Sequence, residues 1–478
     1  MNSDNLMTFD GCTLYVIAES PVQSGLLWTG TNDGQINITT NDGKTWSNVT
    51  SNLKNIAPWG TIRSIDPSNF DAGTAYISIT YQQLGDFKPY IFKTSDFGKT
   101  WKSIGAGIPF SNSSFVHSIK EDPTQKGLLY AGTDNGLYIS PNDGMTWMPL
   151  KNNLPPAPVY YMAIQKNFKD LVIATYGRGF YILDDLTPIR EWSKDLTKNK
   201  IDLYAPRNAY RFNNKTGIHS ESSMVTGKNP PYGASINYFL PDTTGIKPLV
   251  IILNAKGDTI KKITGTLNKG VNRVWWDLAH EEINLPLLKT IPDNKDFVKL
   301  DKEGNRRMFI YDLDIGPGLD PIRVPAGLYT VVLKAGNTIQ KQKLTVLKDP
   351  NIKSNDIDIQ AQYAFGLDLN NQINKCLMLI DTIENRRAQF LKVGSTSSVA
   401  QEKILYDIEK QLFDVHLTGA RMDIFRNPAK LLERMLTIRK ESQTYGADFP
   451  PTTQQKEVFA ALKSQLEKVE KSFIQTKL

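Results

Sequence analysis

Three segments near the start of the chain carry almost the same phrase: Thr39 to Trp46 (TTNDGKTW), Thr94 to Trp101 (TSDFGKTW) and Ser140 to Trp147 (SPNDGMTW). In each, a hydroxyl residue is followed by an Asn or Asp two positions on (Asn41, Asp96, Asn142), a Gly two beyond that, then Thr and Trp. This order specifies one kind of β-hairpin. The short polar side chains bond nearby backbone amides, and Gly43, Gly98 and Gly144 can take the positive φ that a tight turn demands. Each closing Trp (Trp46, Trp101, Trp147) offers a large apolar plate to bury against a neighbouring unit, where truncation to Ala costs about 3–5 kcal/mol.

The flanks repeat too. A short apolar strand ending in a turn Pro precedes each box, at Tyr15 to Pro21, Ile62 to Pro67 and Val116 to Pro123, and a second β-rich strand follows it at Leu26 to Thr31, Thr74 to Ile79 and Leu128 to Thr133. A fourth unit begins at Val159 but reads YGRGFYILDDL where a box belongs. Units of roughly 40–50 residues with four short strands each are the signature of β-propeller blades.

The phrase [S/T]-x-D-x-G-x-[S/T]-W resembles the Asp-box, or bacterial neuraminidase repeat, of sialidases, xyloglucanase-like glycoside hydrolases and sortilin-type propellers. The box at Thr94 matches in full, whereas Asn41 and Asn142 replace the named Asp in the other two. Further along, GRGFYILDDLTPIRE (Gly177 to Glu191), GVNRVWWDL (Gly270 to Leu278), PAGLYTVVL (Pro325 to Leu333) and PPTTQQKEVFAAL (Pro450 to Leu462) resemble segments of large, mostly bacterial proteins of the glycosyl-hydrolase-like or sortilin-like group. The resemblance implies a propeller with further blades upstream, of which this chain would be the C-terminal portion. It also implies a secreted, periplasmic or cell-surface location for the full-length protein. No secretory signal opens the chain itself. An arc of blades would leave a strand edge open to self-association near Tyr15 to Ala18.

The expected organisation is mainly β with an α-helical tail. Residues 1–190 form about four blades, 201–350 an immunoglobulin-like β-sandwich carrying a long loop over 281–321, and 354–478 a helical region. In the sandwich, alternating or β-rich runs such as PLVIILNA (Pro248 to Ala255) and GLYTVVLKAG (Gly327 to Gly336) supply strands, with Trp275 or Trp276 as core plug. The acidic Asp312, Asp314 and Asp320 of the loop lack calcium-loop spacing and read as solvated. In the tail, apolar stripes at helical spacing run through Phe365, Leu369, Ile373, Leu377, Ile380 and Ile383, then through Ile404, Ile408, Leu412 and Val415. Two more run through Leu431, Met435 and Ile438, and through Val458, Leu462, Leu466 and Val469, and all read as bundle core.

Charge narrows the partners. The net charge of +7 comes from 56 basic and 49 acidic residues, but residues 1–190 hold 14 basic against 16 acidic, so the basic excess lies beyond the repeats and gives them no nucleic-acid footprint. No apolar run approaches the 18 or so residues of a membrane span. Cys12 and Cys376 form no framework, and His117, His219, His280 and His416 lack metal-ligand spacing, so neither metal nor other cofactor is expected.

In a propeller the boxes join the third and fourth strands at the outer rim, away from the face where ligands enter, so they mark fold rather than chemistry. They also serve as a ruler. From turn Pro to boxed Trp the spacing is 25 residues in the first unit (Pro21 to Trp46), 34 in the second (Pro67 to Trp101) and 24 in the third (Pro123 to Trp147). The surplus falls at Tyr81 to Tyr90, between second and third strands on the ligand face. Trp59, Tyr81, Asp86, Phe87, Tyr176 and Arg178 are therefore the candidate ligand contacts, with Asp33, Asp134 and Phe110 nearby, for a glycan or a protein segment. In the competing reading Phe87 and Tyr90 only pin the loop.

Sialidase chemistry, as the resemblance implies it, needs three clustered Arg, a Tyr nucleophile with its Glu, and an Asp acid. Residues 1–190 contain only Arg63, Arg178 and Arg190. Glu19, Asp66, Glu121 and Asp122 sit at strand ends beside Pro and read as turn caps. No complete catalytic set is visible. The expected activity is recognition, and the alternative is a glycoside hydrolase, not a sialidase, whose carboxylate pair lies partly in upstream blades.

Overall fold

The computed structural model describes residues 13–195, 200–212, 229–243, 245, 247–292, 294, 297–308, 319–416, 428–443 and 448–478. Cys12, His219, Asp312 and Asp314 lie outside them. Two compact units emerge, one comprising residues 1–200 with Tyr238–Pro241 and the other the remainder.

The first unit is built from four antiparallel sheets. Blade 1 holds β1 (Leu14–Glu19), β2 (Leu27–Thr31), β3 (Ile36–Thr39) and β4 (Ser47–Asn48), paired in chain order. Blade 2 repeats this with β5 (Thr61–Pro67), β6 (Ala75–Tyr81), β7 (Asp86–Thr94) and β8 (Lys102–Ser103). Blade 3 consists of β9 (Val116–Glu121), β10 (Leu129–Thr133), β11 (Gly136–Ser140) and β12 (Met148–Pro149). Blade 4 has three strands, β13 (Val159–Gln165), β14 (Asp170–Thr175) and β15 (Gly179–Leu183), and leads into helix α1 (Thr187–Lys194). These are blades of a β-propeller.

All three boxes fold alike between third and fourth strands. In the second, Thr94 Oγ1 donates to Asp96 Oδ1 (2.9 Å), Gly98 N donates to Thr94 Oγ1 (2.9 Å) and Thr100 N donates to Asp96 Oδ1 (2.9 Å). Asn41 and Asn142 accept the equivalent amide bonds from Thr45 and Thr146 at 3.0 and 2.9 Å. The turn needs two consecutive residues at positive φ, Asp42–Gly43, Phe97–Gly98 and Asp143–Gly144.

Blades stack face to face. Ile62 and Ile65 of blade 2 bury against Leu26, Trp28 and Ile36 of blade 1. Val116 and Ile119 do the same against Tyr76 and Ile91, and Val159 and Met162 against Tyr130, Leu137 and Ile139. The boxed Trp seals two of these joints: Trp101 meets Trp28 edge-on at 6.0 Å, and Trp147 Nε1 donates to Ile104 O at 2.7 Å. Trp46 departs from the expected burial. It is 44% exposed, because no blade precedes blade 1 among the described residues. β1 lies at the edge of its sheet and pairs on one side with β2, as β5, β9 and β13 lie at the edges of theirs.

The second unit contains a five-stranded sheet, ordered Ala209–Arg211, Thr338–Lys348, Gly327–Ala335, Leu249–Leu253 and Thr259–Thr264, with its first pair parallel. A separate three-stranded sheet is ordered Asp202–Leu203, Ala234–Leu240, Gly270–Trp276, and of its middle strand residues 234–237 belong to this unit. Trp276 is fully buried and meets Tyr329 of the larger sheet edge-on at 5.2 Å. Helices α2 (Asp356–Val393), α3 (Thr396–Glu409), α4 (Leu431–Gln443) and α5 (Thr453–Thr476) share one core. Its inward face runs through Leu405 and Phe459, whereas Ile404 and Val458, expected inside, are exposed. Ile283, Leu288 and Met308 join that core, and Glu384 of α2 accepts from Thr290 N at 2.9 Å, so part of the 281–321 segment packs on helices. No helix among the described residues is long and apolar enough to cross a membrane.

Candidate functional site

The turn between second and third strands sits beside the start of the inner strand in blades 1, 3 and 4. Asn32 N donates to Thr13 O (3.1 Å), Asp134 N to Phe115 O (3.2 Å) and Tyr176 N to Pro158 O (2.9 Å). The boxes occupy the other ends of the third strands. Each inner strand is also irregular at one position on the turn side. The pairing register slips between Leu14 and Val16, between Ile62 and Ser64, between Val116 and Ser118 and between Val159 and Tyr161. The extra residues are Tyr15, Arg63, His117 and Tyr160, one bulge per inner strand. A β-bulge inserts one residue, bends the strand and re-aims that side chain, and bulges are over-represented beside active sites.

The four re-aimed side chains converge. Arg63 donates through Nη1 to the Tyr15 hydroxyl, and its guanidinium carbon lies 5.2 Å from the Tyr15 ring centroid and 5.5 Å from that of Tyr160. Its Nη2 lies 3.2 Å from His117 Nδ1, and His117 Nε2 lies 3.0 Å from Asp134 Oδ1. A guanidinium only donates, so Nδ1 accepts and Nε2 carries the proton toward Asp134. Burial foremost, helped by the Arg63 charge, pushes the His117 pKa below its ordinary value against the opposing pull of Asp134, so the ring is neutral at neutral pH. Arg63 Nε is buried without a hydrogen-bond partner, and no carboxylate pairs with Arg63 among the described residues. Below the cluster a cavity of 480 Å³ runs between all four inner strands, lined by Ile17, Arg63, His117, Lys120, Tyr160 and Met162 among others.

Two expected ligand contacts end a ladder of rings that passes through the cluster. Phe87 lies 6.0 Å from Phe115, Phe115 5.0 Å from His117, His117 4.1 Å from Tyr160 in a stacked pair, and Tyr160 5.4 Å from the exposed Tyr176. Trp59 and Tyr81 stand elsewhere, on a 350 Å³ cavity at the joint of blades 1 and 2 that Asp33 also lines. Tyr81 is buried, its hydroxyl donating to Ala57 O at 2.6 Å, so it braces the connection between blades. Asp86 accepts from Tyr90 Oη at 2.7 Å and holds the insertion closed on itself. Arg178 and Phe110 are exposed. Tyr15, Arg63, His117 and Tyr160 were not among the expected contacts. Each follows the first apolar residue of its inner strand, a position that the repeat ruler can locate.

Of the strand-end carboxylates, Glu19 is exposed and lines the cavity, whereas the other three are committed to structure. Asp66 pairs with Lys120 at 2.6 Å, Asp122 with Arg190 of α1 at 2.8 Å, and buried Glu121 accepts from Ser68 Oγ at 2.5 Å and Gly127 N at 3.0 Å. Among the described residues no cluster of His, Cys, Asp and Glu could hold a metal ion.

No protein-family model matches the chain, and no curated protein does. Solved structures resemble it weakly. A GH74 xyloglucanase from Xanthomonas campestris is 13% identical over 37% of this chain and 30% of its own length, with a TM-score of 0.27. YCF48 from Cyanidioschyzon merolae is 14% identical over 36% of this chain and 53% of its own, at 0.26. The β-propeller domain of Cps50 (Swd1) from Myceliophteria thermophila is 10% identical over 36% of this chain and 51% of its own, at 0.26. The chain thus spans under two thirds of each. The propeller assignment rests on the four blades themselves.

Proposed function

We propose that the chain is a recognition module of the Asp-box, sortilin-like and glycosyl-hydrolase-like kind, which takes a glycan or a protein segment at the mouth of its blade channel. The carrying observation is the convergence of the four bulged residues Tyr15, Arg63, His117 and Tyr160. Aromatic faces beside a cation that pairs with no carboxylate suit stacking on sugar rings or side chains while attracting an acceptor group. Binding is favoured over hydrolysis because Asp66, Glu121 and Asp122 are held in structural pairs, leaving no spare carboxylate couple among them. The second unit fits an immunoglobulin-like sandwich followed by a helical bundle, in a protein that acts outside the cytoplasm.

The test is a glycan array and a peptide library probed with the whole chain, repeated with Arg63→Ala and Tyr176→Ala. Loss of a specific hit in both variants, with unchanged melting, supports the reading. Hydrolysis of a polysaccharide that stops on replacing one Asp or Glu would overturn it.

A further inference from the structure

The connection from blade 1 to blade 2, residues 53–60, is pinned along its length and at its flanks. Tyr81 Oη donates to Ala57 O at 2.6 Å, Thr61 Oγ1 to Asn32 O at 3.0 Å and Asn52 Nδ2 to Gly98 O at 2.8 Å. Gly60 presses so closely on the joint that a Cβ there would collide with the Tyr81 ring, and a Cβ on Gly34 would come within 2.9 Å of Gly60 O. The 350 Å³ cavity of this joint lies among these anchors and shares no lining residue with the cavity below the mouth.

Trp59 lines this cavity with its backbone at φ +69°. A bulky residue takes the left-handed region only at a cost, and residues held there cluster at ligand clamps. The fold gains little in return. Trp59 is half-buried and stands outside the apolar cluster of its own joint, which takes in Leu53, Ile56, Ile62, Ile79 and Tyr81. Among the described residues its indole N–H has no hydrogen-bond partner and its ring meets no other aromatic ring. The opposite rim is polar. Gln35 Oε1 accepts from Asn48 Nδ2 at 2.9 Å, which fixes the amide and leaves its two N–H donors without a partner among the described residues. Asp33, two residues earlier in the same turn, adds a carboxylate.

We infer that this inter-blade cavity is a second binding site, separate from the channel mouth, which takes a single sugar ring: its C–H face stacks on Trp59, and its hydroxyls donate to Asp33 and accept from Gln35. An aromatic plate over an apolar floor, with an acceptor and a donor on one rim, matches a ligand that is apolar on its ring face and polar around its edge. An apolar side chain of a protein partner would use the indole and the floor but would satisfy neither Asp33 nor Gln35.

Saturation-transfer difference NMR on the whole chain, with free hexoses, N-acetylhexosamines and hexuronates as probes, tests this. One class should receive saturation, most strongly at the ring protons of one face. Trp59→Gly should weaken that binding about tenfold or more without lowering the melting temperature, because glycine takes a positive φ freely. Trp59→Phe should keep part of the signal, and Gln35→Ala should weaken it severalfold. Arg63→Ala should leave it intact, which separates this cavity from the mouth. No transfer to any probe would overturn the inference, as would a signal lost in Arg63→Ala but kept in Trp59→Gly. A melting temperature several degrees lower in Trp59→Gly would return the residue to a packing role and overturn it too. A peptide that binds the chain but not Trp59→Gly would assign the cavity to a protein segment instead.

Discussion

The three boxed tryptophans have the same local sequence and different surroundings, so truncating each to Ala separates turn from joint. Trp147 is 8% exposed and its indole N–H reaches Ile104 O, so Trp147→Ala opens a cavity and strands a carbonyl. Core Trp→Ala costs about 3–5 kcal/mol, and the lost hydrogen bond places it near the upper part of that range. Trp101 is half-buried and edge-on to Trp28, so its loss should cost about 2 kcal/mol. Trp46 faces no blade, and its truncation should cost about 1 kcal/mol or less. Two compact units make a single unfolding free energy ill-defined, so the assay is hydrogen exchange read blade by blade at high dilution. Protection of β9 to β12 should fall about a thousand-fold in Trp147→Ala, since about 1.4 kcal/mol is tenfold, while β1 to β4 in Trp46→Ala barely change. Equal losses in all three would refute the reasoning, because the Trp would then act through its own turn.

Other perturbations address the channel mouth and the helices. Arg63→Ala should weaken any ligand bound at the mouth by about tenfold or more, the value of a hydrogen bond to a charged group, as read by titration calorimetry. Burial lowers the His117 pKa, so the unfolded chain binds the extra proton first; the stability this group contributes is present above the unfolded value of about 6.5 and is lost as pH falls below it. His117→Gln should flatten the fall in melting temperature between neutral and mildly acid pH. Glu409 behaves oppositely: burial, then the neighbouring Glu384, pushes it up to about 8 despite Arg387, so its stability is present below the ordinary carboxylate range and lost as pH rises toward 8. Glu409→Gln should raise the melting temperature above pH 8 and leave it little changed at pH 5.

The box hairpins were legible because they are local. The turn bonds of Asp96 and the positive φ of Gly43, Gly98 and Gly144 are written within eight consecutive residues. The bulges were not, since an extra residue in β5 exists only relative to its partner β6, and nothing within IRSIDP marks Arg63 as unpaired. Tyr81 misled for a similar reason: its sequence neighbours place it at the mouth of an insertion, but the carbonyl that takes its hydroxyl belongs to Ala57, in a connection of no regular pattern. Loop position singled out Phe87 and Tyr176, whereas the ring ladder joining them depends on Phe115, His117 and Tyr160, which no loop-length argument brings together. In the tail, period alone left the helix faces one residue adrift at Ile404 and Val458.

The repeated bulge has a consequence for how such a mouth can change. Just before the bulge, Ile62, Val116 and Val159 are buried by the preceding blade and must stay apolar. The bulged residues pack on one another rather than into the apolar joints between blades, so Tyr, Arg, His and Tyr fill the same backbone slot in one chain without disturbing those joints. A blade can therefore exchange a stacking group for a cation or a titratable ring by a single codon change, and the chemistry of the mouth can diverge while the architecture beneath it stands still.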